Sequence, residues 1–185
     1  MTKPTRNTLI DLDIISLNPP SKEDLVVFGG TFDPIHEGHV GVLRKLMLFF
    51  HTVVIAPTSE NPWKSEKPTC LATRLKMIGL VLEGEQIPGT TSLSSRGIYI
   101  FSNGYNYAEE VVQQLAPDCA GSLFWAVGQD ISHEVSEWRN WGSLPVTTIV
   151  LPIVPNIHAS EIRAKSKAPH PALEQFLTAE HLYGR

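Results

Sequence analysis

The sequence predicts an α/β fold built on a parallel sheet, and three observations carry that expectation. Short apolar or β-branched runs alternate with stretches of about a dozen residues whose apolar positions recur at helical spacing. Gly and Pro stand at the junctions, as at Gly29-Gly30, Pro57, Pro117 and Gly128. The chain has 185 residues with 42% hydrophobic side chains, enough for one buried core and too short for two comfortable domains.

Residues 1–24 mix charge with Pro19-Pro20 and read as an N-terminal extension, which leaves 25–185 as the domain. Leu25 to Phe28, stopped by Gly29-Gly30, has the form of a buried strand. Val40 to Phe50 follows with helical spacing, and Thr52 to Ala56 is a second strand ended by Pro57. Three prolines make 57–69 a loop. Cys70 to Glu83 places Leu71, Leu75, Ile78 and Leu82 on one helical face. Residues 84–97 are rich in Gly, Ser and Thr and suggest no clear element. Beyond them come a strand at Ile98–Phe101, a helix at Tyr105–Leu115, a strand at Ser122–Val127, a helix at Asp130–Trp141 and a strand at Val146–Leu151. Short helices at Ser160–Lys167 and Ala172–Leu182 form a helical C-terminal segment.

Composition narrows the function. Fifteen Lys and Arg against nineteen Asp and Glu give a net charge of −4, which argues against general nucleic-acid binding and leaves room for a local anion site. Cys70 and Cys119 form no CxxC pair and are too few for a disulfide framework, so a reducing, cytoplasmic setting is expected. The basic Lys3 and Arg6 are followed by Asp11 and Asp13, not by a signal-peptide core. The longest apolar stretch, Leu46 to Pro57, is broken by His51 and Thr52 and falls short of the ~20 residues that span a bilayer, so no membrane partner is expected.

In parallel sheets, ligands bind beyond the carboxyl ends of the strands. The richest segment there is Gly29-Gly30-Thr31-Phe32-Asp33-Pro34-Ile35-His36-Glu37-Gly38-His39. Its glycines let backbone approach a ligand, and the following helix start offers free amides to phosphate. His36 and His39, three apart, can face one side of the first turn and donate to phosphate oxygens. Zinc ligation or plain turn structure are the alternatives, although no third ligand stands nearby. The segment matches neither GxxxxGK[ST] nor GxGxxG.

GGTFDPIHxGH resembles the signature of the HxGH nucleotidyltransferases, and more narrowly of the nicotinate-nucleotide adenylyltransferases. The resemblance implies a Rossmann-like, doubly wound sheet. It implies that His36 and His39 contact ATP phosphates and stabilise the transition state, with Gly29, Gly30, Thr31 and Phe32 in the phosphate-binding turn. Gly128-Gln129-Asp130 is similar to the family's G-A-D segment near adenosine, which assigns Gly128 and Asp130 to ATP. Trp138-Arg139-Asn140-Trp141 resembles its W-x-x-W segment, which assigns Trp138 and Arg139 to the mononucleotide and leaves Trp141 as core. Ile157 to Arg163 resembles I-S-S-T-x-I-R, so Ser160 and Arg163 are expected on ATP phosphates, although His158 and Ala159 replace two serines. Asn61-Pro62-Trp63-Lys64 resembles N-P-P-H-K, where the lysine approaches phosphate. Arg74 matches an Arg of the family's Q-R-L-x-M helix and reads as structural. Asp33 is near enough in sequence to organise its loop or a metal-bound water, and capping the turn is the alternative. Tyr105 to Glu110 stands where the family has Y-T-x-D-T-L, without its Thr and Asp.

The implied reaction is adenylyl transfer from ATP to nicotinate or nicotinamide mononucleotide, with pyrophosphate leaving and Mg²⁺ bridging the phosphates. The expected partners are ATP and a pyridine mononucleotide. Two alternatives stand beside it: another HxGH enzyme, such as one acting on phosphopantetheine, and a nucleotide-binding protein without catalysis.

Overall fold

The computed structural model describes residues 9–11, 15, 19–60, 67–152 and 157–185. Its centre is a seven-stranded sheet: β1 (Leu9–Asp11), β2 (Leu25–Gly30), β3 (Thr52–Pro57), β4 (Gly89–Thr90), β5 (Gly97–Ile100), β6 (Leu123–Gly128) and β7 (Val146–Leu151). The spatial order is β1-β7-β6-β2-β3-β5-β4, and every pairing is parallel. The chain winds outward from β2 through β3 to β5, then returns to lay β6 on the other side of β2. The sheet is therefore doubly wound, with its reversal between β2 and β6.

Strand parity builds the two faces. Val26, Val53, Ile55, Phe124 and Ile149 meet Leu43 and Leu46 of helix α1 (Glu37–Met47) and Met77, Ile78 and Val81 of α2 (Leu71–Gly84). Leu25, Val27, Val54, Trp125 and Val127 meet Val111, Val112 and Leu115 of α3 (Ala108–Leu115) on the opposite face. Two short helices follow the last strand, α4 (Ala159–Arg163) and α5 (Glu174–Ala179). Among the described residues no helix is long and apolar enough to cross a membrane.

The register opens a crevice at the reversal. The β2–β6 ladder ends at Phe28↔Ala126. Strand β2 continues with β3 to Gly30↔Pro57, and β6 continues with β7 to Gly128↔Leu151. Beyond Phe28 the two central strands are thus held only by their outer neighbours.

Several elements differ from the sequence expectation. The helix expected over Asp130–Trp141 is two 3-10 segments, Ser132–Glu137 and Trp141–Ser143, separated by Asn140 in the left-handed region at φ 54°. Ile131, Val135, Trp138 and Trp141 have helical spacing, yet side chains compete for the backbone: Ser132 Oγ donates to Gln129 O at 3.0 Å and Ser143 Oγ to Asn140 O at 2.8 Å. Helix α3 starts at Ala108, not Tyr105, because Tyr105 is drawn into a bridge with Thr58. Helix α1 runs three residues earlier than expected, which frees Phe50 to pack edge-on against Phe124 at 5.3 Å. The two C-terminal helices are shorter, ending at Arg163 and Ala179, with left-handed residues soon after at Lys165 and His181. Residues 9–11 pair with β7, and Ile15 is 4% exposed in the core, so parts of the expected extension belong to the folded unit.

Candidate active site

A cavity of about 800 Å³ fills the crevice. Its walls come from the end of β2 and the loop after it, the start of α1, the ends of β6 and β7, and α4.

His36 is the N-cap of α1, at φ −147°, and only 7% exposed. Its ring lies on that of His39, with centroids 3.7 Å apart and planes 31° from parallel. Gly38 permits this fold-back, because a Cβ there would lie 3.1 Å from two atoms of the His36 ring. That is the physical sense of glycine between the two histidines. The His36 backbone N–H donates to His39 Nδ1 at 3.2 Å. That nitrogen therefore carries a lone pair, and the neutral His39 ring holds its proton on Nε2. Burial, followed by the neighbouring His158, lowers His36 from 6.5 to about 4. Burial, followed by His36, lowers His39 well below its ordinary value. Both rings are thus uncharged donors at neutral pH. Among the described residues, His36 Nδ1 is buried without a hydrogen-bond partner, an unusual state for a polar atom.

The loop before α1 is fixed by two hubs. Arg74, fully buried on α2, donates to three carbonyls: Thr69 at 2.6 Å, Thr31 at 2.7 Å and Ser59 at 3.0 Å. Asp33, 4% exposed, accepts from the Thr69 N–H through Oδ2 at 3.0 Å and from the Tyr183 hydroxyl through Oδ1 at 2.5 Å. Its carbonyl accepts from Arg163 Nη1 at 2.7 Å. Asp33 is an organiser of its loop, and Arg74 is structural.

The cavity gathers Gly29, Thr31, Phe32, His36, His39, Gly128, Asp130, Ser160 and Arg163 from the sequence assignment. Gly30 is not among its lining residues and lies beneath the Phe32 ring. Lys64 lies outside the described residues. Trp138 and Arg139 do not line this cavity. Trp138 packs edge-on to Trp141 at 5.1 Å and to Trp125 at 6.1 Å on the opposite face of the sheet. Trp141 is 2% exposed and donates to Thr148 Oγ1, as core. Arg139 pairs with Glu109 at 3.2 Å and stacks on Tyr107 at 4.9 Å. Gly29 touches both regions: it lines the cavity, and a Cβ on it would lie 2.5 Å from the Tyr105 hydroxyl and 2.6 Å from the Trp125 ring.

Sequence reasoning missed Lys67, His158 and Tyr183 as cavity residues. It also missed Glu109, which holds Arg139 and accepts from Asn140 Nδ2 at 3.1 Å. Lys67 could have been found as a second lysine in the same loop and His158 from its place in the Ile157–Arg163 motif; Tyr183 and Glu109 depend on contacts that no local spacing encodes. Among the described residues, the grouping with metal-ligand spacing is Glu37, Glu85 and His170, and it includes none of the cavity histidines His36, His39 and His158. There the Ala172 N–H donates to His170 Nδ1 at 3.2 Å, which leaves the neutral ring's proton on Nε2, facing Glu85 at 3.1 Å.

Residues 27–165 match the family described as Cytidylyltransferase-like. The chain is similar to several curated proteins that carry the name "Probable nicotinate-nucleotide adenylyltransferase". The protein from Marinobacter nauticus is 28% identical over 86% of this chain and 73% of its own length. That from Buchnera aphidicola subsp. Schizaphis graminum is 26% identical over 79% and 67%. That from Laribacter hongkongensis is 33% identical over 64% and 53%. The chain thus spans 53% to 73% of these relatives' lengths. Among solved structures, Plasmodium falciparum nicotinic acid mononucleotide adenylyltransferase complexed with NaAD has a TM-score of 0.64 at 15% identity, covering 86% of this chain and 97% of its own. A bifunctional NMN adenylyltransferase/ADP ribose pyrophosphatase from Francisella tularensis has a TM-score of 0.55 at 21% identity, covering 77% and 41%. These two share the fold.

Proposed function

The chain belongs to the cytidylyltransferase-like family, and on that premise we propose that it transfers the adenylyl group of ATP to nicotinate mononucleotide, releasing pyrophosphate. The observation that carries the reading is the stacked, uncharged pair His36–His39 at the start of α1, in one cavity with Arg163 and Ser160. The 5′-phosphate of the mononucleotide attacks the α-phosphorus of ATP, and no covalent enzyme intermediate is needed. Two anions must be aligned and the charge developing on the α-phosphate and leaving group stabilised. His39 Nε2–H is a donor for the α-phosphate, and His36 completes the pair. Arg163 suits the β- and γ-phosphates because its planar fork matches two oxygens. Gly128 and Asp130 lie at the end of β6, where adenosine would sit. Lys67 lines the cavity and is a further cation for the triphosphate, and Lys64, three positions earlier in the sequence, is assigned the same role from the motif alone.

Mg²⁺ enters with ATP as part of the substrate. Asp33 is buried and held by Thr69 and Tyr183, so of the two cavity carboxylates the exposed Asp130 is the better placed for a metal-bound water. That donor set fits an ion held chiefly by phosphates.

The pyridine nucleotide is assigned to the other side of Gly29, where Trp138 and Arg139 stand near Tyr107 and Glu109. The names of the curated relatives favour the nicotinate form. Turnover with ATP and, in turn, nicotinate, nicotinamide and phosphopantetheine nucleotides tests the reading. The highest kcat/KM is expected for nicotinate mononucleotide; preference for the amide would correct the substrate, and preference for phosphopantetheine the function. His39→Ala should lower kcat about 10²-fold or more in a folded protein, because the donor acts mainly in the transition state. Near-normal turnover would remove its assigned role.

A further inference from the structure

The loop that carries the two histidines is closed from a distant part of the chain. The Tyr183 hydroxyl donates to Asp33 Oδ1 at 2.5 Å and receives a long hydrogen bond from Thr69 Oγ1 at 3.5 Å. The same segment grips α4 from its other side. Arg185 Nη2 donates to Ile162 O at 3.2 Å and to Lys167 O at 3.3 Å, and Lys165 Nζ donates to Gly184 O. To reach both partners the backbone takes left-handed conformations at His181, φ 51°, and Tyr183, φ 54°. Side-chain-bearing residues avoid this region, and it persists where surrounding contacts over-determine it. Arg163, between these anchors, donates to the carbonyl of the residue whose carboxylate Tyr183 holds.

We propose that Tyr183 is a positioning residue for adenylyl transfer: its hydroxyl fixes the Asp33 carboxylate and, through the Asp33 carbonyl, sets where the Arg163 guanidinium meets the triphosphate. This rests on the assignment of Arg163 to ATP. Without the hydroxyl, a carboxylate that is 4% exposed loses one of its donors and turns to find another. Its peptide tilts with it, and the Arg163 fork loses alignment. Misplacement of a substrate-binding group by about 1 Å is enough to cost activity.

The test is Tyr183→Phe, which keeps the ring, made in the natural protein and in Arg163→Ala. The variant alone should lower kcat/KM for ATP about tenfold, with KM for the mononucleotide unchanged within about twofold. In the Arg163→Ala background the same change should matter less than about twofold, because its route of action is gone. Full ATP efficiency in folded Tyr183→Phe, or a lowered Tm without a kinetic change, overturns the positioning role. An equal loss in both backgrounds also overturns it, since Tyr183 would then act without Arg163. If Arg163→Ala alone leaves kcat/KM for ATP intact, the ATP assignment of Arg163 falls first, and the positioning role with it. An impaired Arg163→Ala beside a neutral Tyr183→Phe removes only the inference.

Discussion

Burial holds His36 at about 4 against an ordinary 6.5, so the folded chain keeps this ring neutral where an unfolded chain takes up a proton. Between those values the unfolded state binds more protons, and stability therefore rises with pH. The contribution is complete above 6.5 and is lost as pH falls toward 4. The Tm of the natural protein should fall more steeply across that window than the Tm of His36→Gln. Parallel melting curves from pH 7 to 4 would show that the ring titrates freely. At this scale the sequence was most legible where spacing encodes geometry: histidines three apart, with glycine between them, can stack on one turn. It was least legible for Tyr183, whose partner Asp33 lies 150 positions away.

Among elements, α2 and the central strands were readable because long apolar runs outweigh local competition. The Asp130–Trp141 stretch was not, because Ser132 and Ser143 turn the backbone against a correct apolar period. The contribution of α2 to the site was legible only in part. The motif match marks Arg74 as structural, but not by what means: its guanidinium binds backbone carbonyls at Thr31, Ser59 and Thr69, and a carbonyl leaves no mark on composition. Arg74→Met would strand three acceptors around an apolar tip, at a cost of about 3–5 kcal/mol. For a chain of this size that corresponds to a Tm lowered by roughly 6–20 °C. Arg74→Lys should recover little, since one ammonium cannot reproduce a planar fork aimed at three carbonyls. A thermal melt of both variants decides it, and a Lys variant as stable as the natural protein would refute this account.

At the level of the molecule, the order β1-β7-β6-β2-β3-β5-β4 makes the two halves of the sheet meet at one crevice. The alternation of strands and helices made the parallel sheet legible. The two outermost strands were not, because β1 and β4 are three and two residues long. Their pairing depends on an existing edge more than on their own pattern. The same holds for Ile15, at 4% exposure in the core. Removing residues 1–18 should therefore destabilise the fold. Loss of one buried Ile side chain alone costs about 1.5–3 kcal/mol, which corresponds to a Tm lower by roughly 3–12 °C. An unchanged Tm would show that the segment is an appendage after all.

The hydrogen bond between Tyr183 and Asp33 also has a meaning in time. During synthesis the chain emerges N-terminus first, at about 5–20 residues per second. Strand β2 and the histidine loop can form while most of the chain is still unmade, but the donor for Asp33 arrives 150 residues later. A nascent product that stops short of Tyr183 can thus own both histidines and most of the sheet without the hydroxyl that closes the histidine loop. On the proposed reading, synthesis as far as Tyr183 is a condition for turnover, and a fragment released before it should not consume nucleotide.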